Sequence, residues 1–94
     1  MTDETQIRVA VNGYGVIGKR VADAVAVQKD MDLVGVADVV ADWRARMATS
    51  KGFALYAADP DRAPAMRAAG LEVTGGLDDL LATADIVVDC TPKK

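Results

Sequence analysis

Ile7-Arg8-Val9-Ala10-Val11-Asn12-Gly13-Tyr14-Gly15-Val16-Ile17-Gly18 is an apolar run that breaks into glycines at positions 13, 15 and 18. Ile7 to Asn12 reads as a first strand ending in a glycine turn. Val16, Ile17, Val21, Ala24, Val25 and Gln28 follow at close to the i, i+4, i+7, i+8 spacing of a half-buried helix, with Lys19, Arg20, Asp23 and Lys29 mostly on its other side. Met31-Asp32 then leads into Leu33-Val34-Gly35-Val36-Ala37-Asp38, a second strand. Strand, helix and strand within about thirty residues predict a right-handed βαβ unit with parallel strands.

Downstream, Asp42 is placed to cap a helix that runs through Trp43 and Met47 to about Lys51, where Gly52 stops it. Phe53-Ala54-Leu55-Tyr56-Ala57 reads as a third strand. Pro60 suits a first helical turn with Asp59 as cap, giving a helix from Asp61 to Ala69 closed by Gly70. Leu71-Glu72-Val73-Thr74 is a short extended piece before Gly75-Gly76. Leu77 to Thr83 is a short helix, and Ile86-Val87-Val88-Asp89-Cys90 is the final strand. This alternation predicts an α/β fold: a Rossmann-like half with an open parallel sheet, strand order 3-2-1-4, and helices on both faces. Ninety-four residues suffice for one small domain, 1–94, and not for two.

The glycine turn sits where phosphate chemistry needs it, after an apolar strand and at the start of a helix. Gly13 permits the tight turn, Gly15 lets the backbone approach a pyrophosphate, and Gly18 lets the helix pack on the strand. The N–H groups near Val16 and Ile17 are free at the helix start, and the helix dipole adds about 0.3–1 kcal/mol for an anion. Asn12 and Tyr14 flank the first glycine, and Tyr14 is expected close to a bound nucleotide. Asp38 lies twenty residues past Gly18 at the tip of the second strand. A carboxylate there accepts hydrogen bonds from ribose hydroxyls and repels a 2′-phosphate, which favours NAD, with NADP possible if Arg44 or Arg46 approaches from the next segment. In the order 3-2-1-4 the last strand lies beside the first, so Thr91 and Pro92 reach the same crevice. The expected ligands are a dinucleotide or an adenine nucleotide. Because a full dinucleotide spans two mononucleotide halves, the ADP portion is expected to be held more firmly.

Composition removes other classes. Hydrophobic residues make up 51% and charged residues 27%, a globular balance. The net charge of −3, with Lys and Arg scattered among acids, gives no basic face for nucleic acid. No apolar run approaches the ~20 residues of a membrane span, and Met1-Thr2-Asp3-Glu4-Thr5 is too acidic for a secretory signal. One Cys and no His leave neither a disulfide nor a usual zinc site, so no metal is expected and a reducing cytoplasm is the default. Cys90 has no His to activate it as a nucleophile, and it reads as a buried strand thiol.

Val11 through Val25 resembles the opening of the archaeal type of glyceraldehyde-3-phosphate dehydrogenase. The likeness continues through Met47-Ala48, Lys51-Gly52-Phe53, Leu55-Tyr56, Leu77-Asp78-Asp79-Leu80-Leu81 and Ala84 to Pro92, and so covers nearly the whole chain. The resemblance implies an NAD(P)-binding domain in which Val16 and Ile17 contact the cofactor. It also implies that Cys90 takes a non-catalytic strand position. Asp38-Val39-Val40-Ala41 departs from the basic or Thr-containing segment usual in that family and looks like an NAD reader. The family's nucleophilic cysteine and its histidine belong to a later part that residues 1–94 lack, so this chain is expected to bind without catalysing, as a truncated cofactor domain. Pro92-Lys93-Lys94 reads as an abrupt stop that leaves a sheet face partly bare, which predicts a homo-oligomer through that face. Two rival readings remain open. One is the cofactor part of a dihydrodipicolinate reductase or homoserine dehydrogenase, whose turns usually lack the Asn-Gly-Tyr-Gly start. The other is a stand-alone or engineered minimal Rossmann fold with no catalytic role.

Overall fold

A computed structural model describes residues 6–39 and 43–91, apart from the side chains of Trp43 and Arg44. The expected Asp42 cap, the Arg44 side chain and Pro92 therefore lie outside the described residues. The elements are β1 (Ile7–Asn12), α1 (Val16–Ala26), β2 (Met31–Asp38), α2 (Trp43–Ser50), β3 (Leu55–Ala57), a 3-10 turn (Pro60–Arg62), α3 (Ala63–Ala68), β4 (Val73–Gly76), α4 (Leu77–Thr83) and β5 (Ile86–Asp89). The strands form one parallel sheet in the order β4-β3-β2-β1-β5.

The α/β class and the place of the first strand between the second and the last are as the sequence predicts. The four-strand order gains one member. The piece expected as Leu71–Thr74 is shifted, and Val73–Gly76 joins β3 as an edge strand, pairing Leu55 with Val73, Tyr56 with Gly75 and Ala57 with Gly76. Leu71 and Val73 are buried, and that apolar burial draws the segment in. The two glycines then allow an abrupt passage into α4. The Asp79 carboxylate accepts from the Gly76 N–H at 2.9 Å, and a Cβ on Gly75 would lie 2.5 Å from that same oxygen.

The predicted helix from Asp61 to Ala69 begins instead as a 3-10 turn. Asp59 does cap it, accepting from the Asp61 N–H at 3.1 Å, but Pro64 in the first turn of α3 has no N–H to give an α-type bond. Gly52 and Gly70 end their helices as expected, at φ +82° and +92°, where a side chain would be strained.

Strand periodicity splits the core into two layers. Val11, Val36, Leu55 and Ala57 face α1, α2 and α3, and meet Ala22, Ala45, Ala48 and Met66. On the opposite face Ala10, Ala37 and Tyr56 meet Leu80 of α4, whose full burial contributes about 1.5–3 kcal/mol. Helices thus cover both faces. The Tyr56 ring lies across β2, where a Cβ on Gly35 would come within 2.5 Å of it.

At the far edge β5 pairs only with β1 among the described residues, and Ile86 and Val87 are 48% and 40% exposed. Its start is clasped to β1. The Arg8 N–H donates to Asp85 Oδ2 at 3.0 Å, the guanidinium donates to Oδ1 at 3.0 Å, and the Asp85 N–H donates to the Arg8 carbonyl at 2.8 Å. The Arg8 hydrogen bonds hold the Asp85 carboxyl below the usual carboxylate range. No helix of the described residues is long and apolar enough to cross a membrane.

Candidate functional site

The connection from β4 to β5 carries the chain from one edge of the sheet back to the far side of β1. In open α/β sheets the crevice beyond the strand ends at such a reversal is where ligands bind. Here that crevice is a cleft of about 520 Å³. Asn12, Gly13, Gly15, Val16, Ile17, Asp38 and Thr91 line it, which brings together seven of the ten residues expected from sequence. Gly18 and Tyr14 do not line it, and Pro92 lies outside the described residues.

Three strand tips are tied together at the base. The Gly13 N–H donates to the Ala37 carbonyl at 2.7 Å, and the Cys90 N–H donates to the Asn12 carbonyl at 2.7 Å. Gly13 has φ +95°, and a Cβ there would lie 2.9 Å from the Cys90 carbonyl carbon and the Thr91 nitrogen. Gly13 therefore supplies both the left-handed turn and the close passage to the end of β5. A Cβ on Gly18 would fall 1.8 Å from the Gly13 carbonyl oxygen, so α1 can start directly behind the turn only because that position is bare.

Gly15 is the N-cap of α1, in extended backbone at φ −84°, and no side chain caps this helix start. Its first residues, Val16 and Ile17, are largely exposed at the cleft mouth. The first N–H groups of a helix have no partner inside it, so this end offers donors to an anion. Asn12 keeps its Oδ1 buried without a hydrogen-bond partner among the described residues. Leaving such an acceptor unmet costs about 1–3 kcal/mol.

Asp38 stands at the tip of β2 with both carboxylate oxygens oriented by backbone. Oδ2 accepts from the Tyr14 N–H at 2.9 Å and Oδ1 from the Val39 N–H at 2.7 Å. Among the described residues no Lys or Arg lines the cleft. Arg46, considered as a partner for a 2′-phosphate, is turned away and donates to the Ala69 carbonyl at 2.8 Å, at the end of α3.

Tyr14 is a correction. Its ring points into the core and is fully buried, because the residue after Gly13 turns its side chain inward while its N–H faces Asp38. Burial pushes its hydroxyl above the ordinary phenol range. Cys90 is corrected in the other direction: β5 stops at Asp89, and Cys90 is a half-buried part of the cleft wall. Burial pushes its thiol up, and the neighbouring Asp89 carboxylate adds to the shift, so it is a poor nucleophile. Thr91 is fixed by Asp89, whose Oδ1 accepts from the Thr91 hydroxyl at 2.7 Å and from its N–H at 3.1 Å. These bonds hold the Asp89 carboxyl below its usual range. Ala58 also lines the cleft and was missed, and so does Val39, which the sequence pointed to only as part of the Asp38-Val39-Val40-Ala41 segment. Each is the first residue past a strand, and the rule that places sites at strand ends would have found both.

A family model described as the NAD-binding domain of homoserine dehydrogenase matches residues 13–94. A glyceraldehyde-3-phosphate dehydrogenase of Methanothermus fervidus is 55% identical over 85 residues, covering 90% of this chain and 25% of that protein. One of Halobacterium salinarum is 56% identical over 86 residues, covering 92% and 26%. One of Methanococcoides burtonii is 50% identical over 90 residues, covering 96% and 27%. The chain spans about a quarter of the length of these curated relatives.

Proposed function

The chain belongs to the family described as the NAD-binding domain of homoserine dehydrogenase, and on that premise we propose that its cleft holds NAD with the pyrophosphate on the glycine turn. The observation that carries this reading is the bare helix start at Gly15, which lies in the same cleft as the Asp38 carboxylate and has no side-chain cap. Backbone N–H groups at Gly15, Val16 and Ile17 meet the pyrophosphate, with Gly13 and Gly18 giving the turn its shape. The Asp38 carboxylate accepts from the adenosine ribose hydroxyls and repels a 2′-phosphate, and no cation among the described residues of the cleft offsets that repulsion. Asn12 and Thr91 line the wall on the β1 and β5 side. The nicotinamide of the bound cofactor supplies the hydride-accepting chemistry, and this chain's part is to bind and orient it.

The larger reaction we propose is that of the archaeal relatives, the oxidation of a phosphorylated triose aldehyde. Identity of 50–56% along nearly the whole chain supports it over a homoserine dehydrogenase reading, which the family description favours. Residues 1–94 on their own bind without turnover, since they contain no His and Cys90 is disfavoured as a thiolate. We also propose a cytoplasmic setting and self-association through the β5 edge, where Ile86 and Val87 are exposed. Sedimentation of the purified chain at high concentration should show a dimer or larger species, and a monodisperse monomer would sink the association.

The binding test is calorimetric titration with NAD, NADP and ADP. NAD and ADP should bind, with NADP weaker by about 10–100-fold, the worth of a charged hydrogen bond. Asp38→Ser should close most of that gap. Equal affinities in the original chain would remove the role given to Asp38. No binding by folded protein at millimolar ligand would remove the dinucleotide reading itself.

A further inference from the structure

Tyr14 is the bulkiest fully buried side chain among the described residues, and it stands in the turn that the cofactor reading makes central. Its neighbours in the turn are Gly13 at φ +95° and Gly15, both of the residue type least able to hold a backbone in one place. A loop built of such residues has no stiffness of its own. The ring of Tyr14 supplies a fixed point, in the layer that contains Ala22 of α1 and Ala45 and Ala48 of α2. Those alanines are small enough to leave a socket for an aromatic ring. The ion pair of Lys51 with Asp23 (2.7 and 2.8 Å to the two oxygens) lies near enough for both charges to act on the hydroxyl.

Through its backbone the same residue touches the cleft, because its N–H is the donor on Asp38 Oδ2. Any residue at position 14 has that N–H. What differs is where the peptide is held. The hydroxyl has no hydrogen-bond partner among the described residues, so anchoring falls to the ring and not to the oxygen. We propose that Tyr14 is a positioning residue for cofactor selection: its socketed ring fixes the peptide that aims the Asp38 carboxylate at an unphosphorylated ribose. The inference rests on the dinucleotide reading above.

The test compares the ratio of NADP to NAD dissociation constants in four proteins: the original chain, Tyr14→Phe, Tyr14→Leu and Met66→Ala. Met66→Ala opens a cavity in the same core layer at a residue of α3 that does not line the cleft. It therefore controls for lost stability alone. Tyr14→Leu should lower the ratio at least fivefold, while Tyr14→Phe and Met66→Ala keep it within twofold. Should Tyr14→Leu not fold, Tyr14→Met, with a flexible chain in the same socket, takes its place. An unchanged ratio in the aliphatic variant, or an equal fall in Met66→Ala, overturns the positioning role and leaves the dinucleotide reading standing. A folded original chain that binds neither ligand overturns both.

Discussion

Gly18→Ala should destabilise this protein strongly. The added Cβ would sit 1.8 Å from the Gly13 carbonyl oxygen and 2.9 Å from the carbonyl carbon, and both are backbone atoms with no rotamer to change. The alternative is for α1 to move away from β1, which would uncover Ala22 and the sheet beneath it. Overpacked cores typically lose about 1–3 kcal/mol, and a clash with fixed backbone belongs at or above the top of that range. The gain of about 0.5–1 kcal/mol from replacing a helical glycine offsets little of this. A net loss of about 2–3 kcal/mol in a domain of this size lowers the melting temperature by roughly 8–24 °C. Thermal unfolding followed by circular dichroism measures it, and a shift below about 4 °C would mean that the turn yields far more easily than its geometry indicates.

Gly15→Val should do the opposite: leave the fold nearly intact and abolish binding. Gly15 has φ −84° and ψ −154°, extended backbone on the negative-φ side that does not demand glycine. Its side of the turn opens on the cleft, where a branched side chain would occupy the path by which a phosphate reaches the first N–H groups of α1. The expected outcome is a melting temperature within a few degrees of the original chain and no heat of binding with NAD or ADP. Retained affinity would place the phosphates elsewhere. The two substitutions separate what one motif combines, the packing that Gly18 permits and the ligand role proposed for Gly15.

Much of this was legible because the decisive information is local. The glycine spacing, the strand before it and the acid ending β2 lie within 32 residues, from Ile7 to Asp38, and each constrains backbone directly. Asp59, Gly52 and Gly70 were readable for the same reason, because caps and helix ends depend on a few neighbours. What escaped depends on contacts remote in sequence. Position 14 lies between two glycines of a turn, and spacing alone does not tell an inward ring from an outward one. The ring points in because Ala45 and Ala48, thirty residues on, leave room for it. Gly75 and Gly76 follow the extended piece expected at Leu71–Thr74, yet they are strand residues, and Asp79 folds back onto the second of them and needs the first to be bare. Arg46 looked available to a phosphate until α3 presented a carbonyl to it.

The sheet order also governs when the cleft can exist. β1 is an interior strand, yet one of its two partners is β5, and the clasp between Arg8 and Asp85 joins residues 77 apart. Closing a loop of that length costs entropy that is recovered only after the pairing forms, and parallel pairing at such separation is slow. β1 and β2, joined through α1, can meet early and bring the glycine turn up to Asp38. Cys90 and Thr91 arrive only with the last strand. A chain leaving the ribosome therefore acquires the glycine-turn wall of its cleft well before the opposite one, and everything through Thr91 must be made before both walls are in place.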